Sequence, residues 1–273
     1  MNRLLLTVRN ILAIAVIGVV ANVLSMLIMQ FFVITDFEIR FVVAYVIPMT
    51  LVLCGVAIYD SRVAGHKERC MLRASGFDPV ALLWGIILIV ALSVVLAPLM
   101  RLLPENNRNI PTGLFTMLCV VVVAPIFEEI LFRDRVFSVL RSTLSPWWAA
   151  VVSALIFGAM HGNLVVAIEA FCVGIVLSYL YILKGSLFAP ILLHIMNNIV
   201  AYVMMSFKYQ ERTIEDFIGE LPVFSTMYIV SAVVVLLGAI HVGYIFIKAH
   251  RVIAQGGELV DVSRGKRGDN NKE

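Results

Sequence analysis

The segment GLFTMLCVVVVAPIFEEILFRDR, residues 113–135, sets two carboxylates and a guanidinium inside a run apolar and long enough to cross a bilayer. About 20 apolar residues span the hydrocarbon core as a helix. An ionisable side chain at the bilayer centre costs about 2.5–3.5 kcal/mol on insertion scales, so such groups face a bundle interior or a water-filled cavity. On a regular helix Glu128 and Glu129 project about 100° apart. Arg133 stands at i+4 from Glu129, the spacing of a helical ion pair with the acid on the N-terminal side. That pair would leave Glu128 as a lone carboxylate on the adjoining face, in the role of a general base. The plainer reading, two interfacial glutamates beside a cytoplasmic arginine, fits less well. A span over 113–133 leaves both glutamates four to five residues inside its end.

The rest of the chain agrees with a membrane setting. Of 273 residues, 61% are hydrophobic and 14% charged, and the mean hydropathy is +0.98. Soluble domains are about 45–50% apolar and about 25% charged. The composition predicts an all-α, polytopic transmembrane bundle. Apolar runs at roughly 10–34, 41–59, 79–103, 113–133, 147–161, 164–183, 187–207 and 223–247 predict about eight membrane helices, the fourth able to continue past Arg133. Arg3 and Arg9 precede the first run as in a signal sequence. The run exceeds a signal core of 7–15 residues and no clear small-x-small cleavage site closes it, so it reads as a retained helix. Polar connectors are expected at 60–78 and 208–221, and a disordered polar tail from Lys248.

Orientation follows from the positive-inside rule. With the N-terminus in the cytoplasm, only Arg40, Arg101, Arg108, Lys208 and Arg212 of the 21 Lys and Arg residues fall outside, leaving 16 inside. An even helix count returns the C-terminus to the cytoplasm. The expected organisation is three N-terminal helices within 1–112, a core of four helices at 113–207, a loop and final helix at 208–247, and a tail at 248–273. Cys54, Cys70, Cys119 and Cys172 form no CxxC pair, so disulfides and a structural zinc site are not expected.

The remaining polar outliers gather in the second half of the chain. His161, in ALIFGAMHG, follows Phe157 by four residues and shares its helix face. Alone it reads equally as a histidine at a helix end. His194 and Asn198, in ILLHIMNNIV, are also four apart and make an aligned pair of donors. Alone they read equally as a helix–helix hydrogen-bond clamp. Glu169, His241, Asn22 and Ser25 look interfacial or structural. A common role for Glu128, His161 and His194 requires one water-accessible pocket below the headgroups.

The pattern EExxxR (Glu128, Glu129, Arg133), FxxxH (Phe157, His161) and HxxxN (His194, Asn198) resembles the CAAX-protease and bacteriocin-processing family of intramembrane proteases, also called the Abi or type II CAAX prenyl endopeptidase family. The resemblance covers roughly 113–207. It departs at Asp134, where the family often has Gly. The resemblance implies an endopeptidase in which Glu128, helped by His161, activates a water. His194 and Asn198 would stabilise the oxyanion, and Glu129, Arg133 and Phe157 would support the geometry. The resemblance leaves a metal open, since the family has also been called metalloproteases; the expectation is a glutamate-based mechanism with no required cofactor. The alternative is Zn²⁺ on Glu128, His161 and His194, and it is disfavoured because HExxH is absent and the ligands would come from three helices. GxSG and GxGD motifs of other intramembrane proteases are also absent.

The expected partners are membrane lipid and a membrane-associated peptide or protein, with no nucleic acid. The expected location is the cell membrane of a bacterium. Two other functions compete. One is a catalytically silent member acting as an immunity or regulatory binding protein. The other is a proton-coupled transporter, disfavoured by the lack of inverted repeats.

Overall fold

A computed structural model describes residues 3–64, 72, 76–100, 102–103, 110–206, 221–257 and 262, with 64 and 221–224 described in backbone only. The described residues form eight helices and no strand. They are α1 (Arg3–Gln30), α2 (Phe37–Tyr59), α3 (Pro79–Met100), α4 (Leu114–Arg141), α5 (Pro146–Ala159), α6 (Leu164–Lys184), α7 (Phe188–Ser206) and α8 (Leu221–Ala254). Seven are long and apolar enough to cross a membrane. The exception is α5, whose 14 residues reach only about 21 Å at 1.5 Å per residue.

Local sequence explains where the helices stop. Asp36 caps α2 by accepting from the Ile39 amide at 2.8 Å, and Asn163 caps α6 by accepting from the Val166 amide at 3.2 Å. Gly185 closes α6 at φ 58, and Gly162, at φ 63, lets the chain reverse between α5 and α6. Pro146 stands in the first turn of α5, where its missing N–H costs nothing.

Several ends differ from the sequence expectation. Asp60–Ala64 continues α2 as a wide turn instead of opening the connector, and α8 runs through Lys248 to Ala254, shortening the expected tail. Most of the connectors expected at 60–78 and 208–221, most of the remaining tail, and Cys70 lie outside the described residues. Cys54, Cys119 and Cys172 are free thiols.

α4 is not a uniform helix. Cys119–Val123 and Ile130–Val136 are wide i→i+5 turns flanking Ala124–Glu129. Pro125 explains the first. The Ala124 amide reaches back to the Cys119 carbonyl, and Pro125 has no N–H, so the Val120 carbonyl loses its helical donor. Such turns concentrate at functional sites.

The core lies where α4, α5 and α6 meet, with Leu131, Phe132, Phe137, Ala150, Phe157 and Leu177 all buried. α5 and α6 pack closely because glycine stands at the contacts. A Cβ on Gly158 would come within 2.5 Å of the Ala167 carbonyl, and one on Gly174 within 3.0 Å of the Ala154 Cβ. α6 is the central helix, half buried along its apolar window, whereas α1 is 17% buried and turns most of its surface outward. In a bilayer that outward surface meets lipid, and exposed Leu5, Leu12, Val19 and Met26 fit it.

Candidate functional site

Four charged or polar side chains meet in the middle of the bundle. The Glu129–Arg133 pair expected from spacing is present, Nε to Oε2 at 3.1 Å, and both side chains are at most 1% exposed. Arg133 also donates to the Gly174 carbonyl at 3.2 Å, and its guanidinium sits 5.0 Å from the centre of the Phe157 ring. A buried charge needs such company, because unpaired burial costs several kcal/mol. Gly174 therefore serves twice: its missing Cβ admits α5, and its carbonyl accepts from the guanidinium.

The expected isolation of Glu128 is not what the structure shows. His194, on α7, lies between the two glutamates. Its Nδ1 is 2.8 Å from Glu129 Oε1, and its Nε2 is 3.5 Å from Glu128 Oε2. Carboxylates on adjoining helix faces can straddle one ring placed over the seam between them. The Glu129 contact makes Nδ1 a donor and leaves Nε2 facing Glu128. The second oxygen of Glu128 accepts from the Tyr45 hydroxyl on α2 at 2.7 Å.

Asn198 lies on the same face of α7 as His194. Its Nδ2 donates to the Val120 carbonyl at 2.9 Å, the group that the wide turn and Pro125 leave without a helical donor. Its Oδ1 accepts from Asn197 Nδ2 at 3.2 Å. An amide nitrogen carries two hydrogens, so one remains for a ligand.

His161 stands apart from the carboxylates. It lies two residues beyond the end of α5, and its Nδ1 donates to the Phe157 carbonyl at 2.9 Å, which leaves Nε2 with its lone pair. No hydrogen bond or ion pair joins it to Glu128 or His194 among the described residues. Phe157 links them instead. Its ring meets His161 edge-on at 4.8 Å between centroids and His194 at 5.8 Å. One phenyl ring thus holds both imidazoles and the guanidinium.

Both histidines have Nδ1 tied to an acceptor, a pattern that suits proton transfer and metal ligation alike. As placed, however, Glu128, His161 and His194 do not converge, and no three His, Cys, Asp or Glu side chains among the described residues are grouped to hold an ion. The donor set does not fit zinc in this arrangement.

The weaker candidates fall elsewhere. Asn22 and Ser25 bond to backbone carbonyls of α1 itself. His241 sits edge-on to the rings of Trp84 and Tyr179. Sequence reasoning missed Tyr45, because a tyrosine in an apolar span is ordinary. It also missed the Val120 carbonyl, although Pro125 was a readable sign of a freed acceptor.

Fold and site together define a helical membrane protein with a buried centre of two carboxylates, an arginine and a histidine. Residues 110–200 match the family described as type II CAAX prenyl endopeptidase Rce1-like. The resemblance read from the three motifs is thus met over nearly the same stretch, which holds Glu128, Glu129, Arg133, Phe157, His161, His194 and Asn198 but not Tyr45. The chain is 37% identical over 93 residues to an "Uncharacterized 24.3 kDa protein" of Escherichia coli, covering 32% of this chain and 43% of that one. It is 31% identical over 83 residues to the "Putative membrane peptidase YdiL" of Bacillus subtilis, covering 30% and 34%. The chain therefore spans less than half the length of either curated relative. No solved structure matches it.

Proposed function

We propose that the protein is an intramembrane endopeptidase that hydrolyses a peptide bond of a membrane-associated peptide or protein. The observation that carries this reading is His194 held between Glu128 and Glu129 within the apolar bundle. A paired structural charge needs one partner. A second carboxylate facing the free nitrogen of the ring suits chemistry better than packing. The family match and the peptidase name of one relative support the same class.

In this mechanism Glu128 removes a proton from a water, and the water attacks the scissile carbonyl; His161 assists through its Nε2 lone pair once it moves toward the carboxylates from its place beyond the end of α5. His194, steadied through Nδ1 by Glu129, donates from protonated Nε2 to the developing oxyanion. Asn198 supplies its second amide hydrogen there. Glu128 then passes its proton to the leaving amine. Arg133 balances Glu129, so the site need not hold two unpaired negative charges. Every step runs on side chains and water. Zinc remains the rival, and it requires His161 to swing toward the carboxylates. Stoichiometric zinc in the purified active protein, with loss of cleavage on chelation, would establish it.

A cavity of about 390 Å³ supports a substrate with an apolar flank. It lies between α1, α4 and α5 and is lined by Ile14, Leu131, Phe132, Ile156 and Met160 among others. Met160 adjoins His161. The same reading sets the protein in the cell membrane of a bacterium with both termini in the cytoplasm, an orientation that requires the short α5 to cross.

The test is substrate capture. The Glu128→Gln chain, expressed in place of the wild type, is purified with the membrane proteins it retains. New N-termini are compared between the two cultures. A retained protein that the wild type cuts supports the reading. A protein bound equally by both chains and cut by neither overturns it in favour of a binding role.

A further inference from the structure

Building on the proteolytic reading, we infer that Tyr45, on α2 and outside the family-matched segment, is a positioning residue that holds the Glu128 carboxylate in its working orientation. Its hydroxyl donates to Glu128 Oε1 at 2.7 Å, and Glu128 Oε2 is the oxygen that faces His194 Nε2 at 3.5 Å. The two oxygens thus have separate duties, one held and one free to take a proton. A glutamate left to itself rotates about a broad terminal torsion and exchanges its oxygens. A donor fixed on one of them stops that exchange.

The donor is itself fixed. α2 is tied to α4 at three points in the same order along both helices. Near its start, Glu38 Oε1 accepts from the Thr116 amide at 3.3 Å, beside Gly113, where a Cβ would strike the Glu38 carboxylate. In the middle stands the pair of Tyr45 and Glu128. At its end, Asp60 Oδ2 meets Arg135 Nη1 at 3.4 Å. The helices therefore run parallel in one register, and a slip of either would withdraw the phenol from the carboxylate. α2 supplies to the site what the family-matched segment lacks.

The experiment uses the full chain in liposomes and has two readings. The first is independent of proteolysis. In protein carrying ¹³C-carboxyl glutamate, the infrared difference between wild type and Glu128→Gln assigns the Glu128 carboxylate stretch. Tyr45→Phe is expected to move that band while the Tm stays within a few degrees. An unmoved band overturns the inference. The second reading is turnover of a quenched fluorogenic peptide built around the junction that the capture experiment identifies. Tyr45→Phe is expected to lower kcat about 10- to 100-fold with KM unchanged, the scale of a lost hydrogen bond to a charged group. Installing 4-aminophenylalanine at position 45, which restores a donor, is expected to recover most of it. Tyr59→Phe, which cuts another tie of α2, is expected to leave kcat unchanged. A shifted band with unaltered kcat, or equal losses from Tyr45→Phe and Tyr59→Phe, overturns the positioning role. A wild-type chain that cuts nothing overturns the proteolytic reading instead, and the band alone then decides the tie.

Discussion

Two polar clusters lie buried between apolar helices, and they are built on opposite plans. One joins α1, α2 and α4 through neutral groups, with a single charged neighbour, Arg9, whose guanidinium donates to Asn10 Oδ1 at 3.3 Å. Asn10, 1% exposed, donates to the Val139 carbonyl and Ser142 Oγ, both at 3.3 Å, and accepts from the Tyr59 hydroxyl at 2.8 Å. Thr7 donates to Thr143 at 2.8 Å. Its donors find acceptors within the cluster or on backbone, so it needs nothing from outside. The other cluster, of Glu128, Glu129, Arg133 and His194, carries formal charge and leaves a buried donor, Arg133 Nη1, without a hydrogen-bond partner. Its Glu128 Oε2 and His194 Nε2 face each other at 3.5 Å, beyond a normal hydrogen bond. The neutral cluster is a clamp. The charged one leaves polar atoms unsatisfied, which the proposed function assigns to water and substrate.

That contrast can be broken by mutation, the charged cluster giving the larger effects. Arg133→Ala leaves Glu129 buried and uncompensated, so a stability loss of about 3–5 kcal/mol is expected, with no measurable cleavage. Thermal unfolding in detergent and the fluorogenic assay report the two. A mild stability loss would mean that water reaches Glu129 more freely than its burial implies.

Asn198→Ala should separate activity from stability. Loss of an oxyanion donor is expected to lower turnover about 10²- to 10³-fold. The orphaned Val120 carbonyl costs only about 1–3 kcal/mol. Turnover that follows stability alone would return Asn198 to the clamp class.

In the neutral cluster, Asn10→Ala is expected to cost about 1–3 kcal/mol by leaving the Tyr59 hydroxyl without its acceptor, while the Val139 carbonyl keeps the Ser142 hydroxyl at 2.7 Å. Turnover per folded molecule should stay at the wild-type value. A drop in turnover matching that of Asn198→Ala would erase the distinction between the clusters.

The smallest effect belongs to an ion pair at the end of the membrane spans, between Lys184, the last residue of α6, and Asp78, just ahead of α3. The hydrogen bond from Lys184 holds the Asp78 carboxyl below its ordinary value, helped by the Ala81 and Val80 amides. A depressed carboxyl stabilises the fold above its unfolded pKa and loses that contribution as pH falls through the folded value. Lys184→Met should lower stability by at most about 1 kcal/mol at neutral pH, with the difference from wild type fading in acid. A difference that grows in acid would contradict the assignment.

Much of the site was legible because charge inside an apolar helix is rare and expensive. Glu128, Glu129, Arg133, His194 and Asn198 stood out for that reason, and helical spacing alone paired Glu129 with Arg133. His161 was legible as a candidate, but its placement beyond the end of α5 was not, since helix ends depend on how the α5–α6 turn packs. Tyr45 carried no signal because tyrosine is at home in membrane helices, and its partner lies 83 positions away.

Composition and hydrophobic run length by themselves determined an all-helical membrane protein with about eight helices, because a bilayer leaves few other ways to satisfy the backbone. Motif spacing determined which residues share a face within one helix, since that geometry is local. Only tertiary structure decided that the two glutamates share one histidine, that Phe157 binds two imidazoles together, and that α2 sends a phenol to Glu128. Those contacts join different helices, and their register depends on packing, on where glycine permits close approach and on where Pro125 opens α4, none of which a local periodicity encodes.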